Sequence, residues 1–216
     1  MNKNIIENTI KFVKETLKNA SWCHDWFHVY RVWKNAKNIA RTEEVDILVV
    51  ELWALLHDIA DSKFHNWDET VWPKVAREFL EWQEVDQKII DHIILVIENI
   101  SFKWWHHIQK FRSAELDVIQ DADRLDAIWA IWIARTFTYW GHKSRAMYDP
   151  EIEPNLSMTK EEYKNSTAPT LNHFYEKLLL LKDRMNTVSA RKIAEERHKF
   201  MELYLEQFYN EWEGDS

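Results

Sequence analysis

The chain has 216 residues, 46 % of them hydrophobic and 30 % charged, with a formal net charge of −8, 13 tryptophans and only two glycines. Average glycine usage of about 7 % would give roughly 15; without them tight β-turns, hairpins and glycine-rich phosphate loops are hard to build, so sheet-rich, P-loop and dinucleotide-binding classes recede. The acidic balance argues against a sequence-independent grip on nucleic-acid backbones, which needs clustered Lys and Arg, and leaves open a small anionic substrate held by local cations.

Periodicity then predicts helix after helix. Ile6, Ile10, Val13 and Leu17 form one stripe, giving an amphipathic helix over 3–18. Residues 25–41 place Val29, Val32, Trp33, Ala36, Ile39 and Ala40 opposite Lys34, Asn35, Lys37 and Asn38, a second helix. Asp46 is a suitable N-cap for a third, over 47–57. That segment is apolar nearly all round, which marks it as the central helix of the core. Further helices fit 68–82, 86–99, 113–138 with a break, 170–185 and 188–212. The stretch 139–169 holds three of the four prolines and reads as one long surface excursion, either a substrate lid or a connector.

An all-α fold in a single domain spanning 1–216 follows. The lone cysteine, Cys23, permits no intramolecular disulfide. The first residues alternate polar and apolar without the continuous apolar run of a signal peptide, and no stretch approaches a membrane span. The expected location is the cytoplasm, with no membrane or stable nucleic-acid partner.

Three separated segments carry metal-ligating residues: His24 to Val32, the doublet His57-Asp58, and Asp121 to Asp126. Imidazoles together with carboxylates suit Mn²⁺, Fe²⁺, Co²⁺, Ni²⁺ or Zn²⁺, whereas carboxylates alone would favour Mg²⁺ or Ca²⁺. The doublet stands out by location, because it ends the most apolar helix, where an ionisable pair is costly unless a metal or hydrogen bonds compensate it. Spacing alone leaves Asp121, Asp123 and Asp126 in competition.

The stretches HDWFHVYRV, VVELWALLHDIADSKF, IENISFK, QDADRLDAI, IARTF, HFYEKL and AEERHKFM, running from about residue 20 to the C-terminus, resemble the HD-domain metal-dependent phosphohydrolases. The likeness is closest to small bacterial HD-domain proteins with nucleotide-hydrolysing activities. The resemblance implies a helical bundle in which His28, His57, Asp58 and Asp123 hold one divalent transition metal, manganese first among the choices. It implies a small phosphorylated substrate, a nucleotide such as a nucleoside triphosphate, with a cyclic-nucleotide or alarmone phosphodiesterase as the alternative enzyme. An HD module that binds without turnover and a metal-free helical scaffold are the non-enzymatic alternatives. Asp58 is expected both to bind metal and to orient the attacking water, with His24, Asp25 or His92 as orienter or proton donor.

Phosphate charge needs cations. Arg31, one turn beyond His28, Lys63 after the doublet and Arg124 beside Asp123 are the first candidates, with Lys103 and the His142, Lys143 and Arg145 group after them. Phe64, Phe102 and Tyr139 are candidates to stack a base. His92 with His106 and His107 would be needed for a second metal, and one metal is the expectation. Related proteins tend to have glycine where this chain has Trp104, Trp105, Trp129, Trp132 and Trp140, so the packing near Asp123 is the place where the resemblance frays.

Overall fold

The computed structural model describes residues 2–18, 25–59, 71–99 and 111–215. Among them every regular element is helical. The helices are α1 (Asn2–Thr16), α2 (Trp26–Ala40), α3 (Ile47–Leu56), α4 (Val71–Trp82), α5 (Gln87–Asn99), α6 (Ala114–Asp126), α7 (Ala130–His142), α8 (Lys160–Asn165), α9 (Asn172–Glu176) and α10 (Val188–Glu213), with a 3₁₀ segment over Leu178–Arg184. They group into two compact units, the first running through Asp123 and the second from Arg124 onward.

In the first unit α3 is the centre. Seven of its ten residues are buried, from Val49 to Leu56 with the exception of Glu51, and it packs against α1, α2 and α5. Asp46 caps it as expected, its Oδ1 accepting from the backbone N–H groups of Leu48 and Val49 and so satisfying donors that a first turn leaves orphaned. Glu51, the polar exception, accepts from Trp33 Nε1 at 3.1 Å and pairs with Lys37, which ties α3 to α2. Asn35 of α2 donates to the Ala122 carbonyl at 3.2 Å, and Glu115 accepts from the Asp46 backbone at 3.0 Å. Helices α2, α3 and α6 are thereby registered against one another by polar contacts, over a core of Leu52, Leu55, Leu56, Leu80, Ile90, Ile93, Leu116 and Ile119.

The second unit begins with the anticipated break. The 113–138 segment divides into α6 and α7 around Trp129, whose backbone lies at φ 104°, ψ −168°, a region that in practice only glycine occupies. Its ring covers the Arg197 guanidinium at 5.0 Å and meets Phe200 edge-on. Trp129→Gly is expected to raise stability by about 1 kcal/mol, relief of the strained backbone outweighing the ring contacts, while Trp129→Ala, which keeps a Cβ on the same backbone, gives no such gain. Denaturant melts of the two variants separate these outcomes.

The excursion starts later than periodicity suggests, because α7 runs on to His142, and it contains the short α8. It is docked rather than loose. Thr170 and Leu171 donate backbone N–H groups to the Ala146 and Met147 carbonyls, Asn172 Nδ2 donates to Ile152 O at 2.9 Å, and Asn155 N–H donates to Glu176 at 3.1 Å. The expected 170–185 helix divides in two at Lys177, at φ −142°. Its apolar run Leu178 to Leu181 continues as 3₁₀, a tighter helix that periodicity over so few residues does not distinguish from α.

Buried His173 bonds through Nδ1 to the Tyr163 hydroxyl at 2.8 Å. Burial, with Lys177 and Arg145 nearby, holds its pKa well below the usual 6.5, so the folded chain keeps it neutral. The unfolded chain then binds more protons, and stability should be complete above pH 6.5 and fall as pH drops from 6.5 towards the depressed value. His173→Gln is expected to flatten that acid limb, as followed by thermal melts across pH 5 to 8; an unchanged limb assigns it to other groups.

Candidate metal centre

His28 lies in the first turn of α2, and its backbone N–H is held at 2.9 Å by the Asp25 side chain, the N-cap of that helix. Asp25, considered as an orienter or proton donor, therefore positions His28 through the backbone. His57 is the C-cap of α3 and Asp58 follows it. The apolar helix thus delivers two polar side chains at the point where its own hydrogen bonding ends.

His57 Nδ1 lies 2.8 Å from the Ala54 carbonyl. A carbonyl can only accept, so in a neutral ring Nδ1 carries the proton and Nε2 presents a lone pair. That Nε2 stands 3.2 Å from His28 Nε2, which is itself 3.3 Å from Asp58 Oδ2 and 3.4 Å from Asp123 Oδ1. Asp58 Oδ2 is 3.6 Å from His57 Nε2. Ligand atoms of His28, His57 and Asp58 all lie within 4.8 Å of one another, with both imidazoles buried. Two ring nitrogens and two carboxylates converging this closely repel unless protons or a cation sit among them. A proton on His28 relieves part of this, whereas a divalent cation satisfies every donor together, and the mixed nitrogen and oxygen set fits a transition metal.

The floor of the cluster is aromatic. Trp53, fully buried, stacks on His57 at 5.4 Å between centroids and 22° between planes, and the two imidazoles meet edge-on at 5.1 Å. Sequence reading did not pick out Trp53 as a neighbour of the site. Its position one turn before His57 on the same helix was the available signal.

The structure separates the remaining candidates. Arg31 is half-buried on α2, one turn beyond His28. His92 meets Ser113 at 3.3 Å, Glu115 at 3.5 Å and the edge of Phe111, so its contacts are with the start of α6. Burial pushes the Glu115 carboxyl up, but hydrogen bonds from the Asp46 and Glu115 backbones and from Ser113, together with His92, leave it below the usual range. Of the three competing aspartates, Asp123 reaches His28, whereas Asp126 pairs with Arg135 at 3.5 Å and Asp121 is fully buried. Residues 121 and 123 are two apart and point to opposite sides of α6.

Arg124, Tyr139, His142, Lys143 and Arg145 belong to the second unit. Arg124 donates to the Arg184 carbonyl at 2.7 Å. Tyr139 packs edge-on to Trp140 at 4.5 Å, and His142 and Lys143 are exposed at the end of α7. The Arg145 guanidinium lies 3.4 Å over Trp140 and donates to Ser166. His24, Lys63, Phe64, Phe102, Lys103, His106 and His107 lie outside the described residues. Among the described residues no helix is long and apolar enough to cross a membrane.

Comparison with known proteins shows what the chain is similar to. The HD domain pattern matches residues 26–128, a span that contains all four converging side chains. The Bacillus subtilis protein YpgQ is 37 % identical over 206 residues, covering 94 % of this chain and 91 % of that one. A crystal structure of an HD-superfamily hydrolase from Bacillus thuringiensis superposes with a TM-score of 0.81 at 42 % identity, covering 99 % of both chains. A crystal structure of YpgQ in complex with ADP superposes with a TM-score of 0.74 at 31 % identity, over 97 % of this chain and 96 % of that one.

Proposed function

Since the chain belongs to the HD superfamily of hydrolases, we propose that it is a metal-dependent phosphohydrolase acting on a nucleotide, with His28, His57, Asp58 and Asp123 as ligands of one divalent ion, manganese first among the candidates. The observation that carries the reading is the convergence of His28, His57 and Asp58 at the end of the most apolar helix. The ADP held by YpgQ supports a nucleotide as the substrate class.

A bound divalent ion would polarise a phosphoryl oxygen and lower the pKa of water. The chain's own groups do the rest. The Ala54 carbonyl fixes the tautomer of the neutral His57 ring, which aims the Nε2 lone pair at the cluster. Asp25 fixes the first turn of α2 and with it the position of His28. The Asp58 carboxylate, a hydrogen-bond acceptor at the mouth of the pair, orients a water and accepts its proton during attack on phosphorus. Arg31, on the same face of α2 as His28, offsets the charge of a phosphate chain. Lys63, Lys103, Arg124 and Lys143 remain the further candidates for that role, and His24 and His92 for protonating the leaving group.

The test is hydrolysis by purified, metal-stripped protein with and without added Mn²⁺, on nucleoside triphosphates, diphosphates, cyclic nucleotides and an alarmone, following phosphate and pyrophosphate release. Turnover of a nucleoside tri- or diphosphate that requires the metal is the expected result. Turnover confined to cyclic nucleotides or the alarmone would move the assignment to a phosphodiesterase. Nucleotide binding without turnover under any metal would make the chain a binding module and overturn the proposal.

A further inference from the structure

Three tryptophans are each at odds with their surroundings in a way that a glycine would not be. Trp129 holds φ 104°, ψ −168°. The other positive-φ non-glycine residues among those described, Glu84 at 54° and Ser144 at 58°, lie in the ordinary left-handed region that L-residues do visit, whereas the Trp129 combination belongs to glycine. Trp53 is fully buried, yet among the described residues its indole N–H has no hydrogen-bond partner, and the Nε1 atom of Trp132, itself buried, has none there either. A buried indole ordinarily finds an acceptor, because an unmade buried hydrogen bond costs the full desolvation of its donor.

Not every tryptophan behaves so. The Trp33 N–H donates to Glu51 at 3.1 Å, and Lys34 and Lys37 lie over its ring at 5.5 and 4.8 Å. Trp212 packs on Tyr148 and Phe208 at the end of α10. The misfits are a subset, and the composition indicates what the subset should be. The chain has 13 tryptophans and only two glycines, against roughly 15 glycines in an average chain of this length, a shortfall large enough to include every misfit position.

We infer that Trp53, Trp129 and Trp132 stand where the cellular protein carries glycine, the gene using for glycine a triplet rendered in this sequence as tryptophan. The same exchange at three separate sites, indifferent to whether the site is a helix interior beside an imidazole or a helix junction, reflects decoding rather than selection for packing. The UGA triplet is suited to it: it differs from the tryptophan codon UGG only in its third base and from the glycine codon GGA only in its first. Glycine at 129 removes the backbone strain between α6 and α7. Glycine at 53 and 132 removes two buried unpaired donors, and at 53 it clears the face of His57 on which the indole stacks.

Sequencing the gene and, by tandem mass spectrometry, the peptides of the protein isolated from its source cells tests this without reference to any activity. The expected result is UGA at codons 53, 129 and 132, glycine in the corresponding peptides, and UGG with tryptophan at position 33. Tryptophan in the peptides at any of the three positions overturns the inference. Glycine at position 33 would overturn the physical criterion that distinguishes the two groups.

Discussion

Asp58→Asn is expected to lower metal-dependent nucleotide turnover by about a thousandfold, roughly 4 kcal/mol of transition-state stabilisation, while leaving the thermal melt of the metal-stripped protein nearly unchanged. The substitution keeps the size of the side chain and removes the charge that faces His28 at 3.3 Å and His57 at 3.6 Å. An amide oxygen is a weaker ligand for a divalent ion and cannot take a proton from water. An amide of the same size can keep the contacts that the carboxylate makes with the two imidazoles, so the change costs the fold little. His57→Ala should reduce turnover at least as strongly, and in addition it opens space beside Trp53. Turnover that survived both changes would place hydrolysis elsewhere in the chain.

The second large effect concerns stability. Leu55→Ala is expected to cost about 3 kcal/mol and to lower Tm by roughly 10 °C, since Leu55 is fully buried in α3 and truncation leaves a cavity as well as forfeiting apolar transfer. Ile47, on the same helix but about half exposed, provides the control: Ile47→Ala should cost less than 1 kcal/mol. The contrast also bears on the site, because α3 ends in the two residues that face His28. A destabilised α3 should bind metal more weakly although no ligand has been touched. Equal effects from the two substitutions would contradict the central place given to this helix.

Much of this arrangement is visible in the sequence because it is local. The apolar segment after Asp46, the cap itself and the His57-Asp58 doublet at its end lie within a few residues of one another, and the structure keeps them together. The pairing of His28 with His57 is not local, since nothing in the spacing of α2 and α3 specifies that two Nε2 atoms come within 3.2 Å. That proximity depends on the Trp33 and Lys37 contacts to Glu51 and on Asn35 reaching Ala122, long-range bonds that periodicity does not encode. Resemblance to the HD family singled out Asp123 where spacing left three aspartates open. The geometry gives a physical basis for that choice, with Asp123 directed to His28 and Asp126 to Arg135.

The excursion after α7 was harder to read. Its prolines and polar residues signal a break in helical structure, but its docking depends on the buried side chains of Asn172, His173 and Glu176, which accept or donate across 10 to 21 residues. A break within 113–138 was expected, but neither its place at Trp129 nor the positive-φ backbone there was legible, because a tryptophan gives no hint of one.

Calorimetric titration of Mn²⁺ into metal-stripped protein, wild type beside His57→Ala, bears most directly on the central claim. The account predicts one ion per chain in the wild type and at least a hundredfold weaker binding in the variant, roughly 3 kcal/mol. A wild-type protein that binds no divalent ion, or a variant that binds it as tightly as the wild type, would contradict it.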